Sequence, residues 1–270
     1  MSKIIIKISL LSLLLIAIGG SRVVMATNAV NGAINSAAEA VYIATEQRSL
    51  SQAMLKNYVL SGLGVRSRKA DKALIQAMAD FNQQQQLLDR FITDTQVRQQ
   101  LAIMAQRWQQ VEVQYKQTPS KQHLLALYAA NESLLIQADE VLNAMATANL
   151  SRVTPMLNFA GQQALLCHRL SALYGMMAWG FRAEAEPSYK QVYSQFSDTL
   201  QALESVGENT PLIGHNLKSL QRQLERTQAT ATASQDTFLP GLVDRSAVNM
   251  LKKVDELQAE YLVLARSLDQ

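Results

Sequence analysis

Apolar side chains recur at alternating steps of three and four residues along most of the chain. The segment 101–115 carries Leu101, Met104, Trp108, Val111 and Tyr115 at these steps. The segments 124–145 and 250–268 have the same spacing. A stripe of this kind lies on one face of an α-helix and packs against neighbouring helices. No segment alternates apolar and polar residues as a strand does, so the pattern predicts an all-α protein.

Glycine and proline are scarce, and their positions indicate where the helices begin and end. The 270 residues include 11 glycines and 5 prolines. Pro155, Pro187 and Pro211 each follow Thr or Glu, as expected for the first turn of a helix, where the missing N–H of proline costs nothing. Gly62 and Gly180 stand where helices should stop. The predicted helices cover residues 30–62, 68–92, 95–117, 121–152, 155–179, 187–206, 211–230 and 241–268.

The pattern repeats at an offset of 116 residues. Ala44, Gln47, Leu50, Tyr58, Gly64 and Arg66 correspond to Ala160, Gln163, Leu166, Tyr174, Gly180 and Arg182. Apolar heptads alone can match by chance at this offset, but identical glycine, glutamine and tyrosine positions are not explained by that periodicity. The sequence therefore predicts two tandem antiparallel four-helix bundles, over residues 27–150 and 151–270.

Residues 1–26 have the layout of a secretory signal peptide. Lys3 and Lys7 precede an apolar run from Ile8 to Ile18, and small residues follow it up to Ala26. The run is shorter than the about 20 residues of a membrane span. We expect cleavage after Ala26 and a periplasmic protein; an uncleaved anchor in the inner membrane is the alternative.

The formal charge of +3 belongs to this leader. Removal of residues 1–26 takes three basic residues and no acidic ones, which leaves 22 of each. A neutral chain without a basic patch does not indicate a nucleic-acid partner.

Residue types that usually carry catalysis or bind metals are few and scattered. The single cysteine, Cys167, excludes an intramolecular disulfide and lies among leucines, as a small core residue would. The three histidines fall in different predicted helices without ligand-type spacing. No phosphate-binding loop or nucleophile motif occurs. We expect no enzymatic activity, no cofactor and no metal site.

The first helix of each copy carries the most informative polar pattern. Residues 43–60 read IATEQRSLSQAMLKNYVL, and residues 159–176 read FAGQQALLCHRLSALYGM. On a helix, Gln47, Arg48 and Ser51 share one face with small and apolar residues. A guanidinium flanked by an amide and a hydroxyl suits a small planar oxyanion. The alternative from the residues alone is an exposed polar face, or an arginine paired with an acid on the next helix.

These segments resemble the A-G-x-Q-R-x-L-S-Q-R-x-x-K-x-Y signature of the PilJ-type N-terminal domain of type IV pilus methyl-accepting chemotaxis transducers, which is related to the sensor domain of NarX-like nitrate/nitrite sensors. The first copy retains Ala44, Gln47, Arg48, Leu50, Ser51, Gln52, Lys56 and Tyr58, with Thr45 for the Gly and Ala53 for the second Arg. The second copy retains Ala160, Gly161, Gln163, Leu166, Arg169 and Tyr174, with Ala164 for the first Arg and Cys167-His168 for Ser-Gln.

The resemblance implies a periplasmic four-helix sensor module that binds nitrate or nitrite between paired first helices, with the first Arg as principal ligand. Only Arg48 matches that position, whereas Arg169 matches the second Arg and falls on nearly the opposite face. The implied ligand site comprises Arg48, Gln47, Ser51, Gln163 and Arg169. Tandem copies would place both first helices side by side, as in the dimer that the sensors use.

Such domains normally precede a second membrane span and a signalling output, and neither follows in this chain. The expectation is therefore an exported, stand-alone sensory protein that acts through an envelope or membrane protein. A homodimer is compatible with this expectation. The alternative is a non-catalytic helical interaction protein in which the motif is structural. A setting of Arg48 across a polar cavity from an apposed helix favours the ligand, and an ion pair within the bundle favours the interaction protein.

Overall fold

A computed structural model describes residues 33–148, 154–207, 209–233 and 237–268. These ranges contain eight α-helices and no strand, so the all-α prediction is confirmed. The helices are α1 (Ala37–Gly62), α2 (Ser67–Phe91), α3 (Thr95–Tyr115), α4 (Lys121–Thr147), α5 (Thr154–Ala178), α6 (Arg182–Glu204), α7 (Pro211–Ala233) and α8 (Pro240–Leu268). Within the described ranges, no helix has the length and apolar character needed to cross a membrane. The predicted signal peptide over residues 1–26 lies outside these ranges.

Two predicted helix starts are wrong. α1 begins at Ala37, so residues 33–36 of the predicted helix 30–62 are not helical. The side chain of Ser36 caps the helix there by accepting a hydrogen bond from the Glu39 N–H. α6 begins at Arg182, which places Pro187 inside the helix. Helix α6 starts early because Gly180, at φ +103°, turns the chain directly after α5, and Ala185 then packs in the core. The tertiary structure thus overrides the local preference of proline for a helix start.

The predicted apolar stripes form the core. All five apolar residues of the 101–115 stripe are buried on α3, and the described stripe residues of α4 and α8 are buried or half-buried. α1 packs on α2 and α4, and α5 packs on α6 and α8, while α3 and α7 pack mainly on α4 and α8 respectively. Among the described helices, the most extensive contact joins α1 to α5. These two helices therefore connect the α1–α4 group with the α5–α8 group.

Helices α1 and α5 run parallel and in register. A Cβ atom on Gly161 would lie 2.6 Å from Cβ of Thr45, and one on Gly175 would lie 2.7 Å from Cγ1 of Val59. Both pairs are related by the 116-residue offset of the sequence repeat, so equivalent positions face each other. The glycines allow the backbones to approach closely here, because any larger side chain would collide with the facing helix.

The tyrosine of the first-helix motif has the same structural role in both groups. The backbone N–H of Ser120, just before α4, donates a hydrogen bond to the Tyr58 hydroxyl at 3.2 Å. The backbone N–H of Leu239, just before α8, donates to the Tyr174 hydroxyl at 3.2 Å. Each tyrosine therefore fixes the start of the fourth helix of its group against the first helix.

Candidate ligand site at the first-helix motif

Helix α1 buries many polar side chains although it is the most enclosed helix of its group. It packs against α2, α4 and α5. Eight of its polar side chains are buried: Thr45, Gln47, Arg48, Ser49, Ser51, Gln52, Lys56 and Asn57. A helix that is buried on several sides is normally apolar all round. Buried polar groups need hydrogen-bond partners to offset their desolvation, so the partners of these side chains define what the motif does.

Arg48 links three helices. Its Nη1 donates to Oδ1 of Asp139 on α4 at 2.8 Å, and its Nη2 donates to the backbone carbonyl of Asn158 on α5 at 3.4 Å. The Arg48 side chain is 8% exposed, whereas the Asp139 side chain is 45% exposed. Within the described part of the chain, Nε of Arg48 has no hydrogen-bond partner. The guanidinium is therefore ion-paired at one nitrogen and only partly used at the others.

The other two predicted residues of α1 do not turn toward the Arg48 guanidinium. Nε2 of Gln47 donates to the Phe81 carbonyl at 3.4 Å and lies 3.5 Å from Oε1 of Gln85, both on α2. Ser51 Oγ donates to the backbone carbonyl of Arg48 at 2.8 Å, a bond within the helix itself. Ser51 is thus adjacent to Arg48, while Gln47 braces α1 against α2.

The predicted residues of the second copy lie elsewhere. Nε2 of Gln163 donates to Oγ1 of Thr199 on α6 at 2.6 Å. Arg169 forms a bidentate ion pair with Glu132 on α4, through Nη1–Oε1 at 2.8 Å and Nη2–Oε2 at 2.5 Å. The structure therefore does not gather all five predicted residues around one point. It leaves Arg48 as the centre of the candidate site.

A second buried charge cluster was missed by sequence reasoning. The carboxylate of Asp244 on α8 lies 3.7 Å from Nζ of Lys56 and 3.6 Å from Nη1 of Arg66, and the hydroxyl of Ser171 donates to it at 3.4 Å. Lys56 and Asp244 are both buried, and their contact joins α1 to α8 across the two groups. The sequence offered one sign of this cluster: Asp244 stands seven residues before Leu251, so the two lie on the same face of α8, and Leu251 is buried.

Cys167 lies in the core of α5, as its apolar neighbours predicted. Burial raises the pKa of its thiol well above the ordinary value, and the negative charge of Asp255 acts in the same direction. Such a thiol has little thiolate character and is a poor nucleophile. In the part of the chain that the structure describes, no three residues of the His, Cys, Asp or Glu type form a group that could hold a metal ion.

Comparison of the chain with protein-family models, with curated proteins and with solved structures finds no match in any of the three. The class that the fold defines is an all-α helical-bundle protein. The resemblance of the first-helix segments to the PilJ-type and NarX-like signature stays a prediction.

Proposed function

We propose that this protein is a non-catalytic, sensor-type binding protein of the periplasm, which holds a small oxyanion such as nitrate or nitrite at Arg48 and acts through an envelope partner. The observation that carries the proposal is the pair of underused donors, Nε and Nη2, that Arg48 keeps although its Nη1 is ion-paired with Asp139. Its guanidinium is buried where α1, α4 and α5 meet, makes one short bond to an acid, and has an Nε without a partner among the described residues.

The chemistry of the guanidinium fits this ligand class. Arginine carries five N–H donors in one plane, and a planar oxyanion accepts two of them in parallel. At Arg48 the Nε–H and the weakly used Nη2 form one edge of the guanidinium. Hydrogen bonds to a charged group are stronger at a buried site than in water, because the local dielectric is lower. The parallel pairing of α1 and α5 also supports the arrangement that the resemblance implies.

A second candidate is the structural interpretation of the motif, in a helical interaction protein of the envelope. The ion pair between Arg48 and Asp139 favours it, as does the bidentate pair between Arg169 and Glu132, because both arginines then serve as braces between helices. The two candidates differ in one measurable respect. Only the sensor-type protein is stabilised by the anion, because only a ligand that binds the native state raises its stability.

The experiment is thermal unfolding with sodium nitrate or sodium nitrite, against sodium chloride at equal ionic strength. A ligand at about 100 times its Kd stabilises the native state by about 2.7 kcal/mol, which raises the Tm of a chain of this size by about 5 °C or more. We expect this increase for the wild type and for Arg169→Ala, and none for Arg48→Ala. Arg169 is the matched comparison, since both of its terminal nitrogens are held by Glu132.

Arg48→Lys provides a second variant that keeps the charge and loses the planar pair of donors. It should unfold at nearly the wild-type temperature and show a much smaller anion effect. A wild-type Tm that is the same in millimolar nitrate, nitrite and chloride would rule out the ligand and leave the interaction protein.

A further inference from the structure

We infer that Asp139 is an intramolecular competitor of the ligand: an oxyanion binds fully to Arg48 only when the Asp139 carboxylate leaves it, so binding opens the ion pair between α1 and α4. This inference rests on the proposed function. It adds a residue that controls the affinity of the site and a structural consequence of binding.

The two partners of the ion pair differ in a way that suits displacement. Asp139 contacts Arg48 through a single oxygen, Oδ1, at 2.8 Å. Its side chain is 45% exposed, whereas the Arg48 side chain is 8% exposed. The carboxylate thus reaches the guanidinium from the solvent side, and water can solvate it when it turns away. The Arg48 side chain has little access to solvent and stays in the interior.

Electrostatics makes the two anions mutually exclusive at close range. A bound oxyanion and the Asp139 carboxylate would both lie within a few ångströms of one guanidinium, and like charges at about 4 Å repel appreciably even near a protein surface. One positive charge does not compensate two negative ones. The anion therefore competes with Asp139, and the measured affinity of the wild type includes the loss of that ion pair.

Displacement would change the contacts of α4 with the two central helices. α4 holds α1 through Asp139–Arg48 and holds α5 through Glu132–Arg169, from positions seven residues apart on the same helix. An anion at Arg48 removes the first tie and leaves the second. After binding, α4 would therefore keep its ion pair with α5 but lose the one with α1. This change in helix contacts is one that a partner protein can detect.

The second group has no equivalent competitor pair. Asp255 corresponds to Asp139 in the repeat, but Ala164 stands in the place of Arg48. The pair of residues that the anion would separate is therefore not repeated at these positions of the second group.

Isothermal titration with sodium nitrate and with sodium nitrite tests the inference on the full chain. Asp139→Asn removes the competing charge with almost no change of shape, and we expect about tenfold tighter binding. Glu140→Gln is the matched control, because it removes the same charge from the next residue of α4, which is exposed and points about 100° away around the helix. It should bind as the wild type does. The double variant Arg48→Ala/Asp139→Asn should not bind.

Each outcome bears on the inference. Tighter binding by Asp139→Asn than by the wild type and by Glu140→Gln supports it. Equal affinity of Asp139→Asn and wild type overturns the competition and leaves the proposed function standing. An absence of binding in both proteins, or binding that persists in the double variant, overturns the inference and the proposed function together. The far-ultraviolet circular dichroism and the Tm of every variant verify that it is folded.

Discussion

Helices α1 and α5 occupy equivalent places in the repeat and face each other in register, yet their interiors differ. α1 buries eight polar side chains, including the charged groups of Arg48 and Lys56. The described side chains of α5 include only three buried polar ones, Gln163, His168 and Ser171, and none of them is a lysine or an arginine. Equivalent positions pair Arg48 with Ala164 and Lys56 with Ala172.

The comparison of α1 with α5 distinguishes the small residues that close packing requires from the buried cations that α1 carries and α5 lacks. Close packing of α1 on α5 needs small residues at the contact, and the chain provides them at Gly161 and Gly175. The buried cations of α1 have no counterpart at the equivalent positions of α5, where Ala164 and Ala172 stand. These cations are held by acids from the fourth helices, Asp139 on α4 and Asp244 on α8. Among the described residues, the buried cations therefore lie on one of two equivalent helices.

Removal of the acid that faces Lys56 should have the largest effect on stability. Asp244→Asn removes the carboxylate that lies 3.7 Å from the buried ammonium of Lys56 and 3.6 Å from Arg66, and removal of one partner of a buried ion pair destabilises proteins by about 3 kcal/mol or more. Urea unfolding measures the change. The double variant Lys56→Met/Asp244→Leu should recover most of the loss, because apolar residues of similar size replace buried ion pairs at little cost.

The same pair of variants sharpens the comparison of the two helices. The double variant makes α1 resemble α5, where Ala172 stands in place of Lys56. A decrease of less than about 0.5 kcal/mol in the free energy of unfolding of Asp244→Asn, the ordinary range for surface substitutions, would show that the contact of Lys56 with Asp244 contributes little to stability.

Tight packing of α1 on α5 can be broken from the α5 side. In Gly175→Ala the new Cβ would lie 2.7 Å from Cγ1 of Val59. Overpacking costs about 1–3 kcal/mol, which exceeds the helix-propensity gain of about 1 kcal/mol from glycine to alanine. We expect a net loss of about 1 kcal/mol in the free energy of unfolding, the middle of the range of about 0–2 kcal/mol that the two effects leave.

Gly214 on α7 is the matched control, because a Cβ added there meets no heavy atom within 4 Å. Gly214→Ala should raise the free energy of unfolding by about 0.5–1 kcal/mol. The two substitutions are chemically identical and should have opposite signs. An increase in both variants would mean that α1 and α5 are not in close contact in solution.

We expect the smallest effect on stability from Cys167→Ser, at a position where α1 has a hydroxyl and α5 has a thiol. Cys167 occupies the position equivalent to Ser51, whose hydroxyl donates to the backbone carbonyl three residues earlier. Cys167→Ser can make the same bond to the carbonyl of residue 164, so its buried hydroxyl is satisfied and the cost should stay below about 1 kcal/mol. Thermal unfolding of the variant measures this cost.

The reactivity of the Cys167 thiol provides a second test of its position in the core. Because burial raises the pKa of Cys167, a thiol reagent at pH 8 should label the native protein much more slowly than the unfolded chain. Rapid labelling of the native state would place Cys167 at an accessible site and contradict its position in the core.

The helical fold was predictable because its signals are local. The three-and-four spacing of Leu101, Met104 and Trp108 depends only on the turn of an α-helix, and all three are buried. Thr210 before Pro211 is a helix start by its own chemistry, and its side chain accepts a hydrogen bond from the backbone N–H of Ile213. Pro187 failed as a helix start because the tight turn at Gly180 and the burial of the next residues outweigh a local preference.

The candidate site was predictable only in part. The sequence singled out Arg48 by its polar neighbours on an otherwise apolar face, and the structure places it at the junction of three helices. Its partner Asp139 lies 91 residues away, and the adjacent pair Asp139-Glu140 offered no sign of which acid turns inward. Arg169 matches the same motif, yet it faces Glu132 instead of Arg48.

By itself, the sequence determines that the regular structure of the described residues is α-helical, where most of these helices end, and that two similar halves follow each other at an offset of 116 residues. Hydrophobic period and capping chemistry specify the helices and their ends within a few turns of chain, and the repeat is visible in the sequence itself. The tertiary structure alone decides which buried cation meets which acid, as in Arg48 with Asp139 and Lys56 with Asp244. These pairs depend on which helices become neighbours and on how each one is rotated about its axis, and a helical period leaves both free until the helices pack.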